Sequence, residues 1–226
     1  MSQSLQIVSA PTLREQVSAR LREAIAQGEL PPGRRLIERE LCELMRVSRT
    51  SIREALRELE SEGLITTLPN RGPIVAVMDP ALARSIYEVR ISLEVLATRL
   101  FTKRANEKQM VQLESAYANL KQAYASKSPA NMIAAKAAFY RVLLEGAANE
   151  IISQMLKSVH IRVSQLRMTS LAKPDRAKSS LCEIKELVAA IKARDAELAA
   201  SRCARHLENA AKAALGVLGS AASIDV

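Results

Sequence analysis

Ser48-Arg49-Thr50-Ser51-Ile52-Arg53 places three hydroxyls and two guanidiniums within six residues. With Arg57, the arginines recur at i, i+4 and i+8, so a helix through them carries a guanidinium row on one face. Guanidinium is the side-chain group that donates two parallel hydrogen bonds to guanine O6 and N7. Hydroxyls beside the free N–H groups of a helix start suit phosphate oxygens. Arg39 lies one short helix earlier, placed to reach phosphate, and Arg71-Gly72 sits in a turn suited to a minor groove. The alternative is a solvated charged face. Three features weigh toward double-stranded DNA: residues 1–78 hold eleven Arg and no Lys, hydroxyls cluster at the helix start, and a basic turn follows. Glu58, Glu60 and Glu62 gather at the far end of the same helix.

A second constellation lies downstream. Arg90 falls in the apolar stripe Ile86, Arg90, Leu93, Ala97, and Arg162 in the stripe Met155, Val159, Arg162, Leu166. His206 stands between Cys203 and Ala210, and Lys136 and Tyr140 are one turn apart beside Ile133 and Leu144. Charges on inward faces are costly unless paired. Arg90, Lys136, Tyr140, Arg162 and His206 are therefore expected to line a cavity for an anionic ligand. The alternatives are an Arg90–Glu94 pair on one helix, a lysine reaching out to solvent around a neutral apolar ligand, and a hydrogen-bonded core histidine.

The elements that carry these residues follow from periodicity. Leu13, Val17, Leu21 and Ile25 mark a helix over 12–27, stopped by Gly28, and Leu30-Pro31-Pro32-Gly33 is a break. A short helix over 38–45, with Leu41, Leu44 and Met45 apolar, leads through Arg46-Val47 to a helix capped by Ser48 and ended by Gly63. Ile52, Leu56 and Leu59 point inward, and strands are expected over 64–67 and 74–77. That order is a winged helix-turn-helix. Beyond Asp79-Pro80 only helical periods appear, with spans expected at 80–104, 106–126, 129–146, 149–170, 175–193 and 195–218. Short connections imply an antiparallel bundle. The expected organisation is a flexible tail over 1–10, a DNA-binding domain over 11–78 and an all-α bundle over 79–226.

Composition narrows the function classes. The net charge is +9, yet residues 1–78 contribute only +1, so placement of the arginines matters more than the total. No apolar run approaches a membrane span, and no signal sequence is expected in MSQSLQIVSAPTLREQ. Cys42, Cys182 and Cys203 lack metal-ligand spacing and are expected as reduced thiols of a cytosolic protein, each packed as a small hydrophobe. No Ser/His/Asp or Cys/His set, paired carboxylates or phosphate-binding Gly loop appears, which argues against an enzyme.

The run from Leu21 to Ile65 resembles the DNA-binding domain of GntR-family regulators in its G-x-L-x-P-G, V-S-R-T-x-x-R-E-A-L, L-E-x-E-G-L and wing R-G motifs. The second half resembles the FCD (FadR-like C-terminal domain) sensor: Tyr87-Glu88-Val89-Arg90-x-x-x-Glu94, Ala138-Phe139-Tyr140 with Asn149, and Leu187 to His206. The resemblance implies DNA contacts from Arg39, Arg49 and Arg53 beside Ser48, Thr50 and Ser51, with Arg71-Gly72 in the minor groove. It also implies a homodimer on a palindromic operator. Many FCD domains hold a divalent metal through one Asp and three His, and the matching positions here are Lys136, Tyr140, Ile184 and His206. Only the last can ligate in that role, and the chain has two His in all, His160 and His206. The family metal site is expected to be lost and no cofactor is expected. The expected function is a cytoplasmic, nucleoid-associated bacterial repressor released from DNA by a small organic anion. The rivals are a winged-helix protein with an accessory enzymatic role, or one with a protein- or RNA-binding role.

Overall fold

The computed structural model describes residues 11–171, 173 and 175–222, without side chains at 157–161, 168, 221 and 222. The tail expected over 1–10 lies outside the described residues. The chain divides into two compact units between Val77 and Met78.

The first unit contains α1 (Leu13–Gln27), α2 (Glu38–Met45), α3 (Arg49–Ser61), β1 (Ile65–Leu68) and β2 (Gly72–Val75). Thr12 and Glu15 form a capping box on α1, and Gly28 ends it in the left-handed conformation at φ 80°. Arg46, at φ 55°, turns the chain out of α2. Ser48 caps α3 by accepting from Ser51 N–H at 3.2 Å. Val17, Leu21 and Ile25 of α1 are buried, as are Ile52, Leu56 and Leu59 of α3. Two apolar residues of these helices are not buried. Leu13 is the first residue of its helix and is half exposed, and Leu44 is 80 % exposed. Eight-residue α2 buries only Leu41, so its Leu44 side is left uncovered.

The hairpin pairs Ile65 with Val75 and Leu68 with Gly72, which shifts both strands from the expected 64–67 and 74–77. The loop is only Pro69-Asn70-Arg71, because positive φ at Asn70 and Gly72 closes the turn tightly. The expected break around Gly33 also pairs. Gly33 N–H donates to Val75 O at 2.8 Å and Leu36 N–H to Pro73 O at 2.9 Å, adding a third edge to the wing.

The second unit contains α4 (Pro80–Arg104), α5 (Glu107–Ala125), α6 (Pro129–Ala147), α7 (Glu150–Leu171), α8 (Arg176–Lys192) and α9 (Ala196–Ala222). Asp79, Asn106 and Ser128 cap α4, α5 and α6 through their side chains. Helix α9 runs four residues past its expected end at 218. One apolar cluster gathers around Phe101, Leu113, Leu120, Phe139, Leu187 and Leu207. A second gathers around Ile86, Tyr87, Val163, Leu166 and Ala214. Along α4 the charged pair Arg90–Glu94 falls between residues of the two. Where α4 meets α6, a Cβ on Gly146 would lie 2.4 Å from the Phe101 ring, so only glycine permits this approach. Among the described residues no helix is long and apolar enough to cross a membrane.

Candidate functional site

The hydrophobic side of α3 fixes its outward side. Ile52, Ala55, Leu56 and Leu59 are buried, which leaves Arg49, Arg53 and Arg57 exposed in a row. Ser48 and Thr50 are exposed and Ser51 is half-buried. The two serine hydroxyls lie 3.0 Å apart and hold each other at the helix start. Arg53 Nε donates to both oxygens of Glu38 on α2, at 3.0 and 2.9 Å, which ties the two helices together. That carboxylate raises the Arg53 pKa. Arg39 is exposed and bonds Glu43 one turn on, at 3.0 Å. Arg71 is exposed at the hairpin tip, and nothing crowds Gly72 beside it. Away from this face, Arg22 of α1 pairs with Glu58 and Glu62 of α3, and Ser18 also donates to Glu58 at 2.9 Å. The carboxylates read as a distant acidic end thus clamp α1 to α3.

In the bundle, Arg90, Lys136, Tyr140 and His206 are all buried, each at most 4 % exposed. Arg162 differs: it is only half-buried. Of its expected stripe, Met155 is exposed and Val159 lies outside the described side chains. The reason is that α7 is buried all round at 163–167, packed by α4, α6, α8 and α9, so no single stripe marks its inner side. Arg167, five residues on, is the buried arginine there.

Each charge has a distinct environment. Arg90 Nε donates to Glu94 Oε1 at 2.8 Å, and its guanidinium lies 5.1 Å from the Tyr87 ring centre. Burial lowers the Arg90 pKa, but Glu94 outweighs it and the net shift is upward. Arg167 lies 5.0 Å from the Tyr140 ring centre, and burial followed by the Arg90 charge lowers its pKa. Burial, then Arg167, Arg176 and Arg90, push the Lys136 amine well below its ordinary value. Arg176 donates to Glu183 Oε2 at 2.8 Å and to the His206 carbonyl at 3.3 Å. Burial would raise Glu183, but hydrogen bonds from His206, Arg176 and Asn209 hold its carboxyl down to about 2. His206 is pushed down to about 3 by burial and then by Lys136. Burial also pushes the Cys203 thiol up to about 12, which leaves it unreactive. The expectation of three packed thiols holds for Cys203 alone, since Cys42 is half-buried and Cys182 is exposed.

Among the described residues, Arg167 Nε and Nη1, Arg176 Nε and Nη1, Arg90 Nη1 and the hydroxyls of Tyr87 and Tyr140 have no hydrogen-bond partner. A cavity of about 550 Å³ reaches this cluster, lined by Tyr140, Arg167 and Glu94 and by apolar side chains that include Leu144, Leu156 and Val163. Such a mix of apolar wall and convergent polar groups is the usual make-up of a small-molecule site.

Comparison with known proteins identifies both units. Residues 13–75 match the bacterial regulatory proteins of the gntR family, and residues 85–209 match the FCD domain. The chain belongs to the GntR family of transcription regulators. A curated HTH-type transcriptional regulator of Bacillus subtilis, YdhC, is 26 % identical over 190 residues, covering 84 % of this chain and 85 % of that one. The solved structure of a GntR regulator from Rhodococcus sp. RHA1 superposes with a TM-score of 0.78 at 25 % identity, over 90 % of this chain and 97 % of the other. Escherichia coli McbR shares the fold, with a TM-score of 0.77 at 24 % identity over 89 % and 95 % of the two chains. The regulator is thus a DNA-binding protein with a winged helix-turn-helix and a helical effector domain, and its relatives are regulators rather than enzymes.

The residues at the family's metal positions do not fit a divalent ion. Ile184 is fully buried and offers no donor, and Lys136 adds positive charge instead of a carboxylate. The remaining histidine, His206, holds Glu183 through Nδ1 at 2.6 Å. Among the described residues no group of three or more His, Cys, Asp or Glu is arranged to take a metal. Sequence reading missed Arg167, Arg176, Glu183 and Tyr87. Only Arg176 and Glu183 left a signal, since they lie seven apart, on one helical face.

Proposed function

We propose that the regulator is a repressor that binds a palindromic operator as a homodimer through domain 11–78, and that an organic anion in domain 79–226 releases it. It acts in the bacterial cytoplasm, on the nucleoid. Arg49 and Arg53 read bases, Arg39 meets phosphate, and Ser48, Thr50 and Ser51 border the same groove. Arg71-Gly72 enters the minor groove. The exposed guanidinium row on α3, backed by a buried apolar side, supports this assignment.

The observation that carries the effector reading is a buried excess of positive charge. Among the described residues, the guanidiniums of Arg90, Arg167 and Arg176 are buried together against the carboxylates of Glu94 and Glu183, which leaves Arg167 without one, and the buried Lys136 amine lies in the same cluster. A buried cation without a partner costs several kcal/mol, and a bound anion offsets that cost. The ligand set read from sequence, Arg90, Lys136, Tyr140, Arg162 and His206, is extended by Arg167. An anion that prefers one dimer geometry shifts the half-site spacing away from the operator.

The test begins with operator fragments selected from genomic DNA and challenged with a panel of organic acids. Lys136→Ala is expected to keep operator binding and lose acid-triggered release. Full release in that variant would overturn the reading.

A further inference from the structure

Arg53 is held differently from the other arginines of its row. Its Nε donates to both carboxylate oxygens of Glu38, at 3.0 and 2.9 Å, a bond that runs from α3 to the first turn of α2. Its Nη1 and Nη2 make no hydrogen bond among the described residues. Arg49 and Arg57, one turn to either side, are exposed and have no side-chain partner among the described residues. Arg39 bonds Glu43 on its own helix, through Nη1.

A guanidinium has two edges that donate a parallel pair of bonds. One edge is Nη1 with Nη2, and the other is Nε with one Nη. Glu38 takes Nε, so the second edge is spent. The first edge is left, and it supplies the two donors that guanine O6 and N7 accept.

Stability does not account for the pair. The Arg53 side chain is 60 % exposed and that of Glu38 32 %, and ion pairs this open to water add little to folding. On a DNA-binding face the carboxylate also carries a cost, because it repels phosphate and offsets the arginine charge that draws DNA in. What the carboxylate does supply is direction. A long, flexible side chain fixed before DNA arrives loses less freedom on binding and presents one edge only.

We propose that Glu38 is a positioning residue for base recognition: it holds Arg53 by Nε and so presents the Nη1–Nη2 edge to one G·C pair in each half-site. The proposal rests on the base-reading role of Arg53 and adds the residue that aims it. Glu38 acts through Arg53 and not on DNA.

The test uses the full chain and operator duplexes in which each base pair of a half-site is replaced in turn, with random-sequence DNA beside them. Fluorescence titration at fixed salt reads every affinity. Arg53→Ala is expected to lose discrimination at one G·C pair. Glu38→Asp keeps the charge at the start of α2 but is one methylene shorter, so it gives up the contact with Nε. It is expected to lose about tenfold in discrimination at that same pair. Its binding to random-sequence DNA should match the parent, because net charge is unchanged. Glu38→Gln keeps the reach and one acceptor. It should retain more discrimination than Glu38→Asp and bind random-sequence DNA more tightly than the parent, because a negative charge is gone.

A loss in Glu38→Asp spread evenly over all base pairs, or equalled on random-sequence DNA, would overturn the proposal, since a loosened α2 gives that pattern. A greater loss in Glu38→Gln than in Glu38→Asp would overturn it as well, by making charge and not contact the cause. If Arg53→Ala loses discrimination and Glu38→Asp keeps it, the role of Glu38 falls alone. If Arg53→Ala discriminates as the parent does at every base pair, the base-reading role falls and this proposal with it.

Discussion

His206 Nδ1 lies 2.6 Å from Glu183 Oε2, deep between α8 and α9, and this contact joins an imidazole held neutral by burial to a carboxylate held charged down to about pH 2. The ring donates through Nδ1, and Asn209 and Arg176 occupy the rest of the carboxylate at 2.8 Å each.

Acid is expected to destabilise the effector domain through this contact. The folded state holds His206 down to about 3, against 6.5 in the unfolded chain, so the unfolded chain binds more protons in that window. The contribution is complete above 6.5 and lost as pH falls toward 3. Glu183 adds loss of the same sign from 4.5 down to about 2. Thermal melts between those limits should show a falling melting temperature. His206→Gln should flatten the upper part of the fall. A flat profile for the parent from 6.5 to 4.5 would contradict the neutral-imidazole assignment.

Arg49→Ala and Arg53→Ala are each expected to weaken operator binding by about 1–3 kcal/mol while changing random-sequence DNA binding less. Arg39→Ala should weaken both alike, as a phosphate contact does. Fluorescence titrations at fixed salt distinguish the two patterns. Operator affinity unchanged in both Arg49→Ala and Arg53→Ala would remove the base-reading role.

Gly146→Ala should destabilise the bundle by about 1–3 kcal/mol, the usual range for overpacking. Its new methyl would meet the Phe101 ring at 2.4 Å. Gly219→Ala, with nothing near its Cβ, is the matched control and should be neutral or stabilising by up to about 1 kcal/mol. Equal denaturant midpoints for the two variants would show that Phe101 moves aside freely.

Elemental analysis of protein purified without chelator should find no stoichiometric zinc, nickel or manganese. Lys136 and Ile184 stand where the family's ligands would be, and neither fits that role. One metal per chain would contradict this and would place a site elsewhere.

Sedimentation at micromolar concentration should show a particle of two 24.7 kDa chains, and the same dimer on operator DNA. A lone monomer both free and on DNA would exclude the two-fold operator.

Much of this was legible in sequence because it depends on local geometry. Val17, Leu21 and Ile25 repeat at helical spacing and so face inward, and Asp79, Asn106 and Ser128 cap helices because their short polar side chains reach the first free N–H groups. The guanidinium row on α3 follows from the same period. Burial of Lys136, Tyr140 and His206 was legible too, because each lies within an apolar stripe.

The rest depended on what packs against what. Arg167 and not Arg162 is the buried arginine of α7, because helices press on that segment from several sides and erase the stripe that periodicity reads. Arg22 meets Glu58 and Glu62 across some forty residues of chain, and the Gly33–Leu36 segment joins the wing through its backbone. Neither contact has a local signature. The sequence by itself determined a winged helix, a helical bundle and an arginine-faced recognition helix, since these rest on residue type and spacing. Only the tertiary structure decided which buried cations keep a carboxylate and which do not. That pairing depends on distances between α4, α6, α7, α8 and α9, and those are set by how whole helices pack.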